Sequence, residues 1–231
     1  MTQGKHGVIF DLDGTILYTL EDIRRSLNHS LITHGLQEMD LVTVRRLVGH
    51  GLIQLAHDAV EEHAPELDAA RRSELGEAIA DELREHYRKD PLGVSASYPG
   101  IPGLLKELRE RGLLLGVLSN KDDVLVQQIT DELFPGTFHA VAGRKDHIPR
   151  KPDPRGLELI AQQLGLGMSR ILYVGDSEVD YRTAANAGVP FAAVGWGYRD
   201  AELLQSLSPD YFTPDSGELK SVIFRHFSST V

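Results

Sequence analysis

The 231-residue sequence contains no cysteine. That excludes disulfide scaffolds, thiolate zinc sites and cysteine nucleophiles together, and it accords with a reducing compartment. Basic residues are in the minority, with 24 Lys and Arg against 34 Asp and Glu and a formal net charge of −10. Such a chain has no general attraction for nucleic acid or an anionic membrane, so an anionic ligand must be held by local devices. No apolar run approaches the ~20 residues needed to cross a bilayer. Met1 to His6 is polar and lacks the apolar stretch and cleavage pattern of a secretory leader. These absences predict a cytoplasmic protein with no nucleic-acid or membrane partner. Hydrophobic residues make up an ordinary 41%. A chain of this length can bury roughly 70% of its unfolded surface, enough for a core without covalent staples.

Short apolar runs alternate with helical patterns, as in a parallel sheet with crossover helices. Val8–Phe10, Leu113–Leu118, Ala140–Ala142, Ile171–Val174 and Phe191–Val194 read as strands. Between them Ile101, Leu104, Leu105 and Leu108 share one helical face that stops at Gly112, and Leu157, Ile160 and Leu164 stop at Gly165. Tyr211-Phe212 reads as a short edge strand and Glu218–Phe227 as a last helix. From Ile16 to Pro91 the alternation breaks, and only helical periodicity is seen. The expectation is an α/β fold with a doubly wound, Rossmann-like, mostly parallel sheet. Residues 1–15 and 92–231 form this core, and residues 16–91 form an inserted all-helical cap subdomain. The cluster Pro91, Gly93, Pro99, Gly100, Pro102 and Gly103 suits a hinge where the insertion rejoins the sheet.

In such a fold ligands bind beyond the carboxyl ends of the strands. There the first strand is followed by Asp11-Leu12-Asp13-Gly14-Thr15 and the second by Ser119-Asn120. Arg150-Lys151-Pro152-Asp153-Pro154 precedes the helix after the third, and Gly175-Asp176-Ser177-Glu178-Val179-Asp180 follows the fourth. Asp11 and Asp13, two apart at a strand end, direct two carboxylates to one side of an extended backbone. With Asp176 and Asp180 they make a hard oxygen-donor set suited to Mg²⁺ rather than zinc. Lys151 adds fixed positive charge, Ser119 a hydroxyl, and the turn after Asp11 backbone N–H groups. Such a group can hold a phosphoryl group in transfer, with one carboxylate left to attack it. Taken singly, each segment also reads as a turn, a helix cap or a solvated pair of charges.

The four segments, in this order, resemble the motifs of the haloacid dehalogenase-like hydrolase superfamily, and the resemblance covers nearly the whole chain. It implies that Asp11 is the nucleophile and Asp13 the general acid/base. It also implies phosphate binding by Ser119, Asn120, Lys151, Leu12 and Asp13, metal binding by Asp11, Asp13 and Asp176, and support of the metal by Asp180. An acidic residue at position 13 favours phosphate-ester over carbon–halogen cleavage.

Specificity is expected from the cap, where Arg45–Leu52 contains the glycine pair Gly49 and Gly51. That segment is similar to the Gly-x-Gly cap segment of phosphoglycolate phosphatase-like members, as is Gly195-Trp196-Gly197-Tyr198-Arg199; a plain interhelical turn is the alternative. Thr15, Arg46, Gly49, His50 and Gly51 are the candidate substrate contacts. The resemblance implies a Mg²⁺-dependent phosphatase, monomer or homodimer, that hydrolyses a small phosphomonoester such as 2-phosphoglycolate. Inorganic pyrophosphatase and sugar-phosphate phosphatase or mutase are the alternatives within the superfamily. A phospho-accepting signalling domain and a catalytically silent binding domain are the alternatives outside enzymology. The sequence departs from the usual pattern at Tyr18-Thr19, where many relatives carry Asp-Ser.

Overall fold

The computed structural model describes residues 5–145 and 148–228. The strands are β1 (Gly7–Phe10), β2 (Leu17–Tyr18), β3 (Ala96–Ser97), β4 (Leu114–Asp122), β5 (Ala140–Arg144), β6 (Ile171–Gly175), β7 (Phe191–Val194) and β8 (Tyr211–Thr213). The chain divides into two units. One runs to Tyr18 and resumes at Ser97; the other is Thr19–Ala96.

The first unit holds a six-stranded sheet in the order β5-β4-β1-β6-β7-β8. Every neighbouring pair is parallel. All residues of β1, β6 and β7 are buried. Covered on both faces, these strands carry continuous apolar runs rather than an alternating pattern. Helices α5 (Ile101–Glu110), α6 (Asp123–Leu133), α7 (Arg155–Gln163), α8 (Glu178–Ala187), α9 (Ala201–Ser206) and α10 (Ser216–Ser228) belong to this unit. Leu157, Ile160 and Ala161 of α7 pack with Ile9, Leu118, Tyr173 and Phe191 in one core cluster.

The register fixes the working edge. Phe10 pairs with Val117 on one side and Val174 on the other, so the residues that follow them, Asp11, Leu118 and Gly175, stand at one level of the sheet. Asp11 donates its N–H to the Val174 carbonyl at 2.9 Å, which extends the ladder by one rung.

Two differences from the sequence reading matter. The apolar run of β4 ends at Leu118, but the strand continues through Asp122, with a register shift against β5 between Leu118 and Asp122. Gly143 of β5 makes the shift possible. A Cβ there would lie 2.5 Å from the Asp123 Cα and 2.6 Å from the Lys121 carbonyl oxygen. Secondly, β2 falls inside the stretch read as wholly helical, where two residues are too few to carry a period-2 signal.

The second unit contains α1 (Leu20–Thr33), α2 (Leu41–Leu47), α3 (Leu52–His63) and α4 (Ala69–Lys89). Ile23, Leu27 and Leu31 of α1 and Ile79 and Leu83 of α4 are buried. Asp40 and Asp68 accept from the N–H groups of Thr43 and Arg71, capping α2 and α4. Asp22, fully buried, accepts from the N–H groups of Val94 and Ser95 and from the Ser95 hydroxyl, and pairs with Arg25. That clasp ties the start of the unit to its end. Among the described residues no helix is long and apolar enough to cross a membrane.

Candidate active site

The sheet edge gathers one ionic cluster. Lys151 Nζ lies 2.8 Å from Asp11 Oδ1 and 2.6 Å from Asp180 Oδ1, with both Lys151 and Asp180 buried. The Tyr173 hydroxyl donates to Asp180 Oδ1 at 2.9 Å, and Ser177 Oγ donates to Asp180 Oδ2 at 2.5 Å. Asp180 therefore holds three protein donors, two on Oδ1 and one on Oδ2. Burial works against the Lys151 charge, but Asp11 and Asp180 outweigh it and hold the ammonium above the usual lysine range.

Asn120 serves this lysine. Its Oδ1 accepts from the Lys151 N–H at 2.8 Å, and its Nδ2 donates to the Lys151 carbonyl at 3.2 Å. Ser119, buried on β4, accepts from the Lys121 N–H at 3.2 Å.

Asp176 follows β6 and sits in a separate cradle. Thr15 Oγ1 donates to its Oδ1 at 3.2 Å, and the Tyr198 N–H donates to its Oδ2 at 2.7 Å. The Trp196 indole donates to the Thr15 carbonyl at 3.0 Å, so the 195–199 loop braces the Asp11–Thr15 turn. Leu12 is buried, and its carbonyl accepts from Thr15, Ile16 and Leu17. Gly14 has φ +84°, and a Cβ there would strike the Asp176 carboxylate, so this turn has no room for another residue.

Asp11, Asp176 and Asp180 each bring a carboxylate oxygen within 4.8 Å of the others. Burial, the nearby Asp180 and the nearby Asp176 push the Asp11 carboxyl up, against the pull of Lys151. Burial and Asp180 push Asp176 up to about 7, against the Tyr198 N–H and Arg199. Buried carboxylates that resist ionisation are short of positive charge, and their donors are all hard oxygens. A divalent cation such as Mg²⁺ fits them.

Asp13 stands apart from that cluster. Its Oδ1 meets Lys121 Nζ at 2.6 Å, in a pair with side chains 15% and 3% exposed. Lys121 is absent from the sequence reading. The signal was present, because Ser119 and Lys121 are two apart on β4 and so share a side of the strand.

Arg46, Gly49, His50 and Gly51 belong to the helical unit. Gly49 (φ +137°) and Gly51 (φ +85°) form the turn between α2 and α3, and Gly51 is the N-cap of α3. Arg46, with a side chain 61% exposed, pairs with Glu62 at 2.6 Å.

The model of the haloacid dehalogenase-like hydrolase family matches residues 8–194. A protein of Mesorhizobium japonicum named phosphoglycolate phosphatase is 37% identical over 197 residues, 84% of each chain. One of Agrobacterium fabrum with the same name is 34% identical over 226 residues, 96% of this chain and 93% of its own. The crystal structure of a Lactobacillus delbrueckii subsp. bulgaricus protein superposes with a TM-score of 0.88 at 27% identity, covering 94% of this chain and 98% of that one. The chain belongs to the haloacid dehalogenase-like hydrolase family.

Proposed function

We propose that this haloacid dehalogenase-like hydrolase is a Mg²⁺-dependent phosphatase that hydrolyses 2-phosphoglycolate through an aspartyl-phosphate. One observation carries the reading: two carboxylates two residues apart have separate partners, Asp11 with Lys151 and Asp13 with Lys121. Paired carboxylates in different surroundings divide the labour of nucleophile and acid/base. The shared name of the Mesorhizobium japonicum and Agrobacterium fabrum relatives supports the substrate.

In the first step an Asp11 carboxylate oxygen attacks phosphorus and forms the acyl-phosphate bond as the ester P–O bond breaks. Asp13 gives its proton to the departing oxygen. In the second, Asp13 takes a proton from the water that attacks phosphorus, and Asp11 leaves. Lys151 fixes one oxygen of Asp11, aims the other, and offsets charge on the phosphoryl group. The Ser119 hydroxyl and the backbone N–H groups of the Leu12–Asp13 turn bind the phosphoryl oxygens, with Asn120 holding the backbone of Lys151 in place. Asp11, Asp176 and the Asp13 carbonyl would hold Mg²⁺, with Asp180 in support; bound there it supplies charge neutralisation for the carboxylates and the phosphoryl oxygens. The helical unit, through Arg46, Gly49, His50 and Gly51, contributes to substrate selection.

The test is a Mg²⁺-dependent turnover assay on p-nitrophenyl phosphate, then on a panel of 2-phosphoglycolate, pyrophosphate, hexose phosphates and nucleoside monophosphates. The highest kcat/KM is expected for 2-phosphoglycolate, with Asp11→Asn inactive but folded. Near-normal turnover by that variant overturns the nucleophile. Faster cleavage of pyrophosphate replaces the substrate and leaves the mechanism intact.

A further inference from the structure

A lysine only 4% exposed is a costly thing to keep, because its charge has left water. Lys121 is such a residue, and its place is set with care. The register shift of β4 against β5 brackets it, Gly143 leaves room for its backbone, and its ammonium lies 2.6 Å from Asp13 Oδ1. Its pairing differs in kind from that of the other cations on this edge. Lys151 is bound to the nucleophile and to Asp180, and Arg199 to Glu178 through Nε at 2.8 Å. Lys121 is coupled to the carboxylate that serves the leaving group.

That coupling locates it relative to substrate. A general acid lies about 3 Å from the oxygen it protonates. An ammonium 2.6 Å from Oδ1 of that carboxyl is then within about 6 Å of the ester oxygen when the same oxygen carries the proton. Through Asp13 it is tied to the part of the substrate that departs. A carboxylate on the carbon next to the ester oxygen lies two bonds from it, inside that radius. The candidate cation of the helical unit, Arg46, already has Glu62 at 2.6 Å.

We propose that Lys121 is a specificity-determining residue that binds the substrate's own carboxylate, selecting phosphomonoesters whose ester carbon bears a carboxylate. This inference rests on the phosphatase reading above and deepens it. The Asp13–Lys121 pair is the resting state of the site. With substrate bound, the ammonium lies between Asp13 and the substrate carboxylate, and the substrate anion gains a charged hydrogen bond from a buried cation already fixed beside the acid/base. A neutral leaving group of the same size lacks the second partner.

The test compares 2-phosphoglycolate with n-propyl phosphate, which replaces the carboxylate by an alkyl end. Lys121→Met keeps the buried stem and removes the charge, and Lys121→Arg restores a charge. In Lys121→Met the ratio of kcat/KM for 2-phosphoglycolate over n-propyl phosphate should fall about ten- to hundred-fold, whatever the absolute losses, as expected for one charged hydrogen bond. Lys121→Arg should recover part of it. Calorimetry in the Asp11→Asn background, with Mg²⁺ present, gives a readout free of turnover. There Lys121→Met should weaken 2-phosphoglycolate at least ten-fold more than n-propyl phosphate. An unmoved ratio in both measurements overturns the inference, since Lys121 then only positions Asp13 or does nothing. If the Asp11→Asn protein shows the binding preference while the unmutated enzyme hydrolyses neither ester, the phosphatase reading fails and the carboxylate site stands.

Discussion

Lys151→Met tests whether the buried ion cluster is held together by one charge. Lys151 is 4% exposed as a side chain, and its partners Asp11 and Asp180 are 11% and 0% exposed. Methionine preserves most of the volume, so no large cavity opens and the loss is chiefly electrostatic. Asp180 keeps the Tyr173 and Ser177 hydroxyls after the change, whereas Asp11 loses the cation that lowers its carboxyl. Removing one member of a buried pair costs about 3–5 kcal/mol, because the remaining charges stay desolvated and uncompensated. For a chain of this size that corresponds to a fall in Tm of roughly 6–20 °C. The measurement is thermal unfolding in chelator, repeated with excess Mg²⁺. A cation at Asp11 and Asp176 replaces part of the missing charge, so the variant should gain more from Mg²⁺ than the unmutated protein does. Asp180→Asn combined with Lys151→Met should cost less than the two single changes together. A metal-free loss below about 1 kcal/mol, or additive losses, would refute the argument that Lys151 compensates these carboxylates.

Three further outcomes follow from the same geometry. Asp176, pushed up to about 7 by burial and Asp180, contributes stability that is full below the ordinary carboxylate value of about 4 and is lost as pH rises toward 7. In chelator, Tm should decline across that window and the gain from Mg²⁺ should widen; a gain independent of pH would remove Asp176 from the metal set. Asp13→Asn should slow cleavage of an alkyl phosphate by about 10²–10⁴. It should spare the first step with p-nitrophenyl phosphate, where rapid quench should show a burst, and equal losses without a burst would assign the acid/base elsewhere. Gly143→Ala places a Cβ 2.5 Å from the Asp123 Cα, so about 1–3 kcal/mol of stability and the Lys121–Asp13 pair should be lost together; unfolding and kcat/KM that match the unmutated protein would show that the β4 segment yields freely.

The sheet was legible because its strands are buried on both faces, so each reads as an unbroken apolar run with a helix stop nearby. Gly112 and Gly165 end their helices at positive φ, as their places in the sequence predict. The ionic cluster was legible for a different reason: strand ends in a parallel sheet converge, and Asp11, Lys151, Asp176 and Asp180 lie at such ends or in the loops that follow. What stayed hidden is where apolarity stops being the signal. β4 runs on through Ser119, Asn120, Lys121 and Asp122, and a strand written in polar residues cannot be told from a loop by hydropathy. The i, i+2 rule that pairs Asp11 with Asp13 applies equally to Ser119 and Lys121, but only once those residues are known to be extended, and that depends on β5 lying alongside. Asn120 shows the same dependence. A Ser-Asn pair after a strand reads as a ligand for phosphate or a turn, whereas its amide closes on the backbone of Lys151, 31 residues later. Thr15 likewise reads as a substrate contact and lies buried against Asp176. Sequence reasoning therefore reached the residues that carry charge at the strand ends. It named Lys151 and missed Lys121, so the difference in partner between Asp11 on Lys151 and Asp13 on Lys121, on which the proposed division into nucleophile and acid/base rests, could not be read from the sequence.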